Sequence, residues 1–241
     1  GEIYESRAIY AFYKNDLDKA IAEMKKIPFE SRQVYDEQAE KMVSKQLKLS
    51  ESSLPANPFN GFIKDCHDCE HAKKRSPYTK ISFLQKVKEM EDKLAKGEDI
   101  YNNALLLGNA FYSASYFGNS RAFYYNSILG ETGGFFVNGQ NSAMLLSMTH
   151  AKKYYQIAQQ HASTDEQRAK IAYMLAKVER NEFYNKQYYS EGKIYGVSPW
   201  ENEIAFKDWQ GFKELRKYPH TQYYKDVIRE CGYFRKITGN K

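Results

Sequence analysis

The sequence predicts an all-α protein of antiparallel helix hairpins stacked side by side. Three observations lead there: apolar residues recur at helical spacing along most of the chain, strand-like alternation is almost absent, and polar caps and prolines punctuate the helical runs. Of the 241 residues, 42% are hydrophobic and 27% charged, the balance of a chain that folds around a core and not of a disordered one. No apolar run reaches the roughly 20 residues of a membrane-spanning helix. With 36 basic against 30 acidic side chains the net charge is +6, and acidic residues interrupt the basic ones throughout. Lys73-Lys74-Arg75 is too narrow a basic stripe for a nucleic-acid interface.

Taken in order, residues 2–14 and 16–27 form the first expected pair. The second member carries the stripe Leu17, Ala20, Ile21, Met24 and Ile27 and is ended by Pro28. Residues 30–48 and 80–95 form the next pair, around an insertion spanning about 50–78, and 101–117 and 141–161 a third, around an insertion at 119–139. Met144, Met148, Ala151, Tyr155 and Ala158 step by four and three along 141–161, a seam for one neighbouring helix. Only Phe135-Phe136-Val137 hints at a strand.

Ser163-Thr164-Asp165-Glu166 reads as a capping box that starts a helix over 165–185, and Ser198-Pro199-Trp200-Glu201 starts its partner over 200–217. Between those starts, Ala169, Ala172 and Ala176 make a small-residue stripe that asks for a closely packed, nearly antiparallel helix. A segment at 221–235 closes the chain. Hairpins that each expose one apolar face must stack to bury it, giving one domain over 1–241. The same periodicities also allow a compact irregular bundle. The chain opens at Gly1 inside a helical pattern and is expected to be a fragment of a longer protein.

Leu107-Gly108-Asn109-Ala110-Phe111-Tyr112 resembles the first helix of a tetratricopeptide repeat (TPR). Residues 10–20 resemble the same helix running through its turn into the second, with Asn15 where the family usually has glycine and Leu17 where it has tyrosine. Leu175-Ala176 and Lys217-Tyr218-Pro219-His220-Thr221 add two further fragments. The resemblance covers roughly half of the chain. It implies a TPR-like right-handed α-α superhelix with two long loop insertions, acting as a protein- or peptide-binding scaffold, often in bacterial cell-envelope assemblies. The implied concave surface is lined by Phe12 and Tyr13, by Asn109 and Tyr112, and by Lys177 and Arg180. There Asn109 would bracket a peptide backbone with its donor and acceptor, while Lys177 and Arg180 would hold a carboxylate. Replacing Asn109 or Tyr112 is then expected to weaken binding and leave the melting temperature unchanged.

One stretch carries metal-ligand chemistry. Cys66 and Cys69 have C-x2-C spacing and His71 stands two residues later, a partial donor set for tetrahedral zinc. A fourth ligand would come from Cys231, His150, His161 or His220. A local disulfide or two free thiols fit the same pair. No nucleophile elbow, P-loop, HExxH or dinucleotide fingerprint is present, which favours a binding protein over an enzyme. Gly130-Glu131-Thr132-Gly133-Gly134 lacks the lysine of a phosphate loop. An alternative is a carbohydrate- or small-ligand-binding protein that stacks sugars on Tyr124, Tyr125, Phe135 and Phe136.

Overall fold

Asp16, Thr79, Thr164 and Thr221 each accept a hydrogen bond from the backbone N–H three residues later, and a helix starts at each. The structure, a computed structural model, describes residues 1–36, 38–54, 56–63, 77–126, 128–129, 139–189 and 208–239. Among them lie α1 (Glu2–Tyr13), α2 (Leu17–Lys25), β1 (Phe29–Asp36), β2 (Lys41–Lys48), α3 (Lys80–Ala95) and α4 (Ile100–Ser113). After these come α5 (Gly139–Leu146), α6 (Thr149–Gln160), α7 (Asp165–Tyr184), α8 (Gln210–Leu215), α9 (Gln222–Glu230) and α10 (Gly232–Thr238). The protein is mainly helical. Cys66, Cys69, His71, Lys73–Arg75, the glycine run 130–134, Phe135, Phe136 and the cap at 198–201 lie outside the described residues.

The first pair forms as expected, α1 packing on α2. Asn15 turns the chain between them at φ 59°, a left-handed conformation that glycine or asparagine tolerates best, and its Nδ2 donates to Glu91 Oε1 of α3 at 2.8 Å. The expected helix over 30–48 is instead an antiparallel hairpin, β1 and β2 paired from Phe29↔Lys48 to Asp36↔Lys41. Tyr35, Ala39, Val43 and Leu47 do recur at helical spacing, but the two runs pair instead, with β-branched Val34 and Val43 facing each other across the ladder.

The single helix expected over 141–161 is broken into α5 and α6. The Leu145 carbonyl leaves the helical ladder to accept the Tyr116 N–H at 2.9 Å, and Ser147 Oγ receives the Thr149 N–H at 3.3 Å. The capping box also sits one residue later than expected. Thr164, not Ser163, is the cap, and Gln167, not Glu166, reaches back to it.

That shift frees Glu166 for a different task. Its two carboxylate oxygens accept the Gln222 and Tyr223 N–H groups at 3.0 and 2.7 Å, at the start of α9. Glu179, further along α7, accepts the Gln210 and Gly211 N–H groups at 2.9 and 2.8 Å at the start of α8. Helix N-termini leave such donors without intrahelical partners, and a carboxylate also meets the positive end of the helix dipole. The alanine stripe then receives its close partner. A Cβ added to Gly211 would stand 2.4 Å from the Ala172 carbonyl oxygen and 2.4 Å from the Ala176 nitrogen.

The core is aromatic where α1, α3 and α4 meet. Phe12 stacks on Phe111 at 4.6 Å between ring centroids and meets Phe83 and Phe123 edge-on or tilted. Beside it, buried Lys80 donates to buried Glu5 at 2.7 Å, and Asn126 Nδ2 donates to the other Glu5 oxygen at 3.1 Å. The charge on each is thus compensated where water cannot reach it.

Burial sets the acid–base behaviour of several tyrosines. Burial, with the nearby Glu166 charge as the second cause, pushes Tyr101 up to about 12. Burial also raises Tyr13, Tyr124, Tyr154 and Tyr189 above the ordinary phenol value. Each folded-state value lies above the unfolded value near 10, so the stability these phenols protect is complete below pH 10 and is lost as pH rises through the folded value. We expect urea stability to fall between pH 10 and 12, and Tyr101→Phe to lessen that slope by about 1.4 kcal/mol per pH unit. An unchanged slope would contradict the burial of Tyr101. Because the atoms facing Gly211 are backbone, Gly211→Ala should cost about 1–3 kcal/mol by chemical denaturation.

Candidate functional site

Asn109 and Tyr112 lie three residues apart on α4, and Tyr173, Lys177 and Arg180 step by four and three along α7, so each set shares one helix face. The structure joins the two faces through a segment of the chain itself. Asn57 and Pro58 open a turn in which Asn57 Oδ1 accepts the Phe59 N–H at 3.0 Å. Phe59 then drops its ring against Tyr78 and Phe83, with centroids 5.0 and 5.6 Å away. Beyond it, residues 60–63 cross the helices without regular secondary structure.

Three side chains hold this segment by its main-chain carbonyls. Asn109 Nδ2 donates to the Phe59 carbonyl at 2.8 Å, Lys177 Nζ to the Phe62 carbonyl at 2.7 Å, and the Tyr173 hydroxyl to the Ile63 carbonyl at 2.6 Å. Behind them the geometry is fixed from α6. A Cβ on Gly108 would stand 2.4 Å from the Tyr155 ring, so glycine is what allows that ring to lie on the α4 backbone. The Tyr155 hydroxyl donates to Asn109 Oδ1 at 2.9 Å, which orients the amide with its NH2 toward Phe59. The segment comes close as well: a Cβ on Gly61 would meet Met174 Cε at 2.5 Å and Asn109 Oδ1 at 2.9 Å.

Lys177 is buried and sits 4.4 Å over the Tyr112 ring centroid, where the ring face offsets part of its lost hydration. The Tyr112 hydroxyl accepts from Arg180 Nη2 at 3.0 Å and from Asn181 Nδ2 at 3.1 Å. Both cations therefore converge on one tyrosine.

Of the six groove residues expected from sequence, the structure unites Asn109, Tyr112, Lys177 and Arg180. They do not line an open trough: Asn109, Tyr112 and Lys177 are buried. The expected bracket at Asn109 does grip a peptide carbonyl, but one of its own chain, and Lys177 holds a carbonyl where a carboxylate is expected. Phe12 and Tyr13 stand apart from this set. Phe12 is enclosed in the aromatic core, and the Tyr13 hydroxyl donates to the Ala114 carbonyl. Tyr173 and Asn181 are not singled out by the sequence reading, although Tyr173 shares the face of Lys177 at helical spacing, and Tyr155 is expected only as part of a packing seam.

The other expectations have equally definite locations. Tyr124 is fully buried and offers no face to a sugar, whereas Tyr125 is exposed. Cys66, Cys69 and His71 lie outside the described residues. Among the fourth ligands considered for zinc, His150 Nε2 lies 3.0 Å from the Tyr13 carbonyl, His220 Nε2 lies 3.0 Å from Asp165, and Cys231 is buried. Among the described residues, no group of three or more His, Cys, Asp or Glu side chains comes together to hold a metal, and no helix is long and apolar enough to cross a membrane.

Burial reverses one consequence expected from sequence. Removing the Asn109 amide breaks its bonds to both the Phe59 carbonyl and the Tyr155 hydroxyl, so Asn109→Ala should cost about 2–4 kcal/mol and Tyr155→Phe about 1 kcal/mol. Because the two share one bond, the double variant should lose less than the sum. Additive losses in a urea double-mutant cycle would break the link between α6 and the segment. Comparison with family models, with curated proteins and with solved structures returns no match for this chain.

Proposed function

We propose that this chain is a non-enzymatic, TPR-like helical scaffold whose α4–α7 face grips extended polypeptide by its backbone. The observation that carries the reading is the set of side-chain donors from Asn109, Lys177 and Tyr173 to the carbonyls of residues 59, 62 and 63. Donors aimed at main-chain oxygens recognise extended peptide through its backbone, with little dependence on most of its side chains, and tyrosines supply contact area at low entropic cost. Two local features support stacking of the TPR-like kind. Asn15 takes the left-handed turn conformation where the family has glycine, and Gly108 lets the second helix of its pair press an aromatic ring onto the first.

The test uses Gly61→Ala, which crowds Asn109 and loosens the chain's own segment. An array of extended eight-residue peptides of varied sequence should be retained by this variant with micromolar affinity. Adding Tyr173→Phe, which removes one donor and little volume, should weaken retention about tenfold. Retention of no peptide, or retention indifferent to Tyr173, would overturn the proposal.

A further inference from the structure

We infer that residues 59–63 are an internal ligand of the α4–α7 face, and that the partner it excludes is an extended peptide of the pattern aromatic–any–glycine–aromatic–aliphatic. This rests on the binding role proposed above and adds the identity of the ligand to it. Phe59 is buried against Tyr78 and Phe83 and acts as the anchor. After it the burden changes: Asn60 is exposed, while Gly61, Phe62 and Ile63 are only half-buried. This half of the segment forms no ladder with another strand and no helix, and its described hydrogen bonds to the helices run through carbonyls at Phe62 and Ile63. Local openings begin in segments of this kind, with few buried apolar groups and side chain-dependent attachment.

The specificity arises from contact distances. At the third position of the pattern only hydrogen fits between Met174 Cε and Asn109 Oδ1. Met174 ends in a flexible chain that can yield, but the Asn109 amide is held by Tyr155 and cannot. Asn109 therefore performs two functions: it holds the carbonyl of the first residue and rejects a side chain on the third. The donors to the carbonyls of 59, 62 and 63 fix the path of any peptide that replaces residues 59–63, and the glycine-only third position fixes its register. A peptide carrying the pattern competes with the chain's own copy, so the face binds in trans only when that copy lifts.

The experiment titrates wild-type and Gly61→Ala chains with a fluorescein-labelled peptide of the sequence of residues 56–63, its glycine-to-alanine analogue and a scrambled control. The variant should bind the parent peptide at least tenfold more tightly than the wild type does, and the alanine analogue at least tenfold more weakly than the parent. Equal affinity of the two proteins for the parent peptide, or equal binding of parent and scrambled peptides, overturns the inference. If the variant retains array peptides through Tyr173 but does not prefer the parent, the binding role stands and the internal-ligand inference alone falls. Should Gly61→Ala fail to fold, unlabelled parent peptide at millimolar concentration should speed hydrogen exchange at the Gly61, Phe62 and Ile63 amides of the wild-type chain. Unchanged exchange there overturns the inference.

Discussion

A primary amide has one donor end and one acceptor end, and at Asn109 both are engaged inside the protein. Tyr155 on α6 supplies the proton for its oxygen, and the Phe59 carbonyl takes the proton from its nitrogen. Helix, neighbouring helix and insertion are thereby joined through a single side chain. Reversing the amide would place its NH2 against the Tyr155 hydroxyl and its oxygen against a carbonyl, so the orientation is determined by its partners. Gly108 precedes it for a steric reason, because the same tyrosine ring that orients the amide rests on that backbone. Two adjacent residues of α4 thus position the site, one by having no side chain and one by having a bifunctional one.

On the other side of the site, α7 organises the C-terminal helices. Its Glu166 and Glu179 carboxylates satisfy the first N–H groups of α9 and α8, and its alanines admit Gly211 at backbone distance. Few contacts are as efficient as a carboxylate on a helix start, since hydrogen bonding and dipole act together. Fixing α7 at two points matters for the site, because Tyr173 and Lys177 stand between those two carboxylates on the same 20-residue helix. The Glu5–Lys80 pair works differently. It is buried, so its attraction largely repays desolvation, and its value lies in joining α1 and α3 to Asn126 in the second insertion.

The parts legible in the sequence are those with short-range causes. The Asp16 and Thr164 regions read as helix starts, the Ala169–Ala172–Ala176 stripe asks for a close partner and meets Gly211, and the run from Leu107 to Tyr112 reads as a helix and lies in α4. The hairpin at 29–48 escapes such a reading because strand pairing depends on a partner a dozen residues away, which helical counting does not weigh. The site is half legible. Residue chemistry points to backbone recognition at Asn109, but an amide looks the same in sequence whether its partner arrives from another molecule or from an insertion fifty residues upstream. Phe12 is hidden for a related reason: burial is a property of the whole assembly, and a helix-face position becomes core once Phe83 and Phe123 close over it.

The bonds that hold residues 59–63 contribute more to the path of the segment than to stability. A typical hydrogen bond adds only about 0.5–1.5 kcal/mol net, because water competes for both partners. Burying a phenylalanine contributes about 1.5–3 kcal/mol, so Phe59 anchors the segment while the polar contacts decide how it lies. Every residue carries a carbonyl, so donors meeting residues 59, 62 and 63 hold the path of the chain without by themselves choosing which residue meets which donor. The choice comes from exclusion: a slip would carry Phe62 or Asn60 into the gap beside Asn109, where Gly61 has room only for hydrogen. Attraction along the backbone holds the segment, and exclusion at one position sets its alignment. That combination reads direction and register from a nearly side chain-independent grip, and it works identically on a segment of this chain or on a peptide that takes its place.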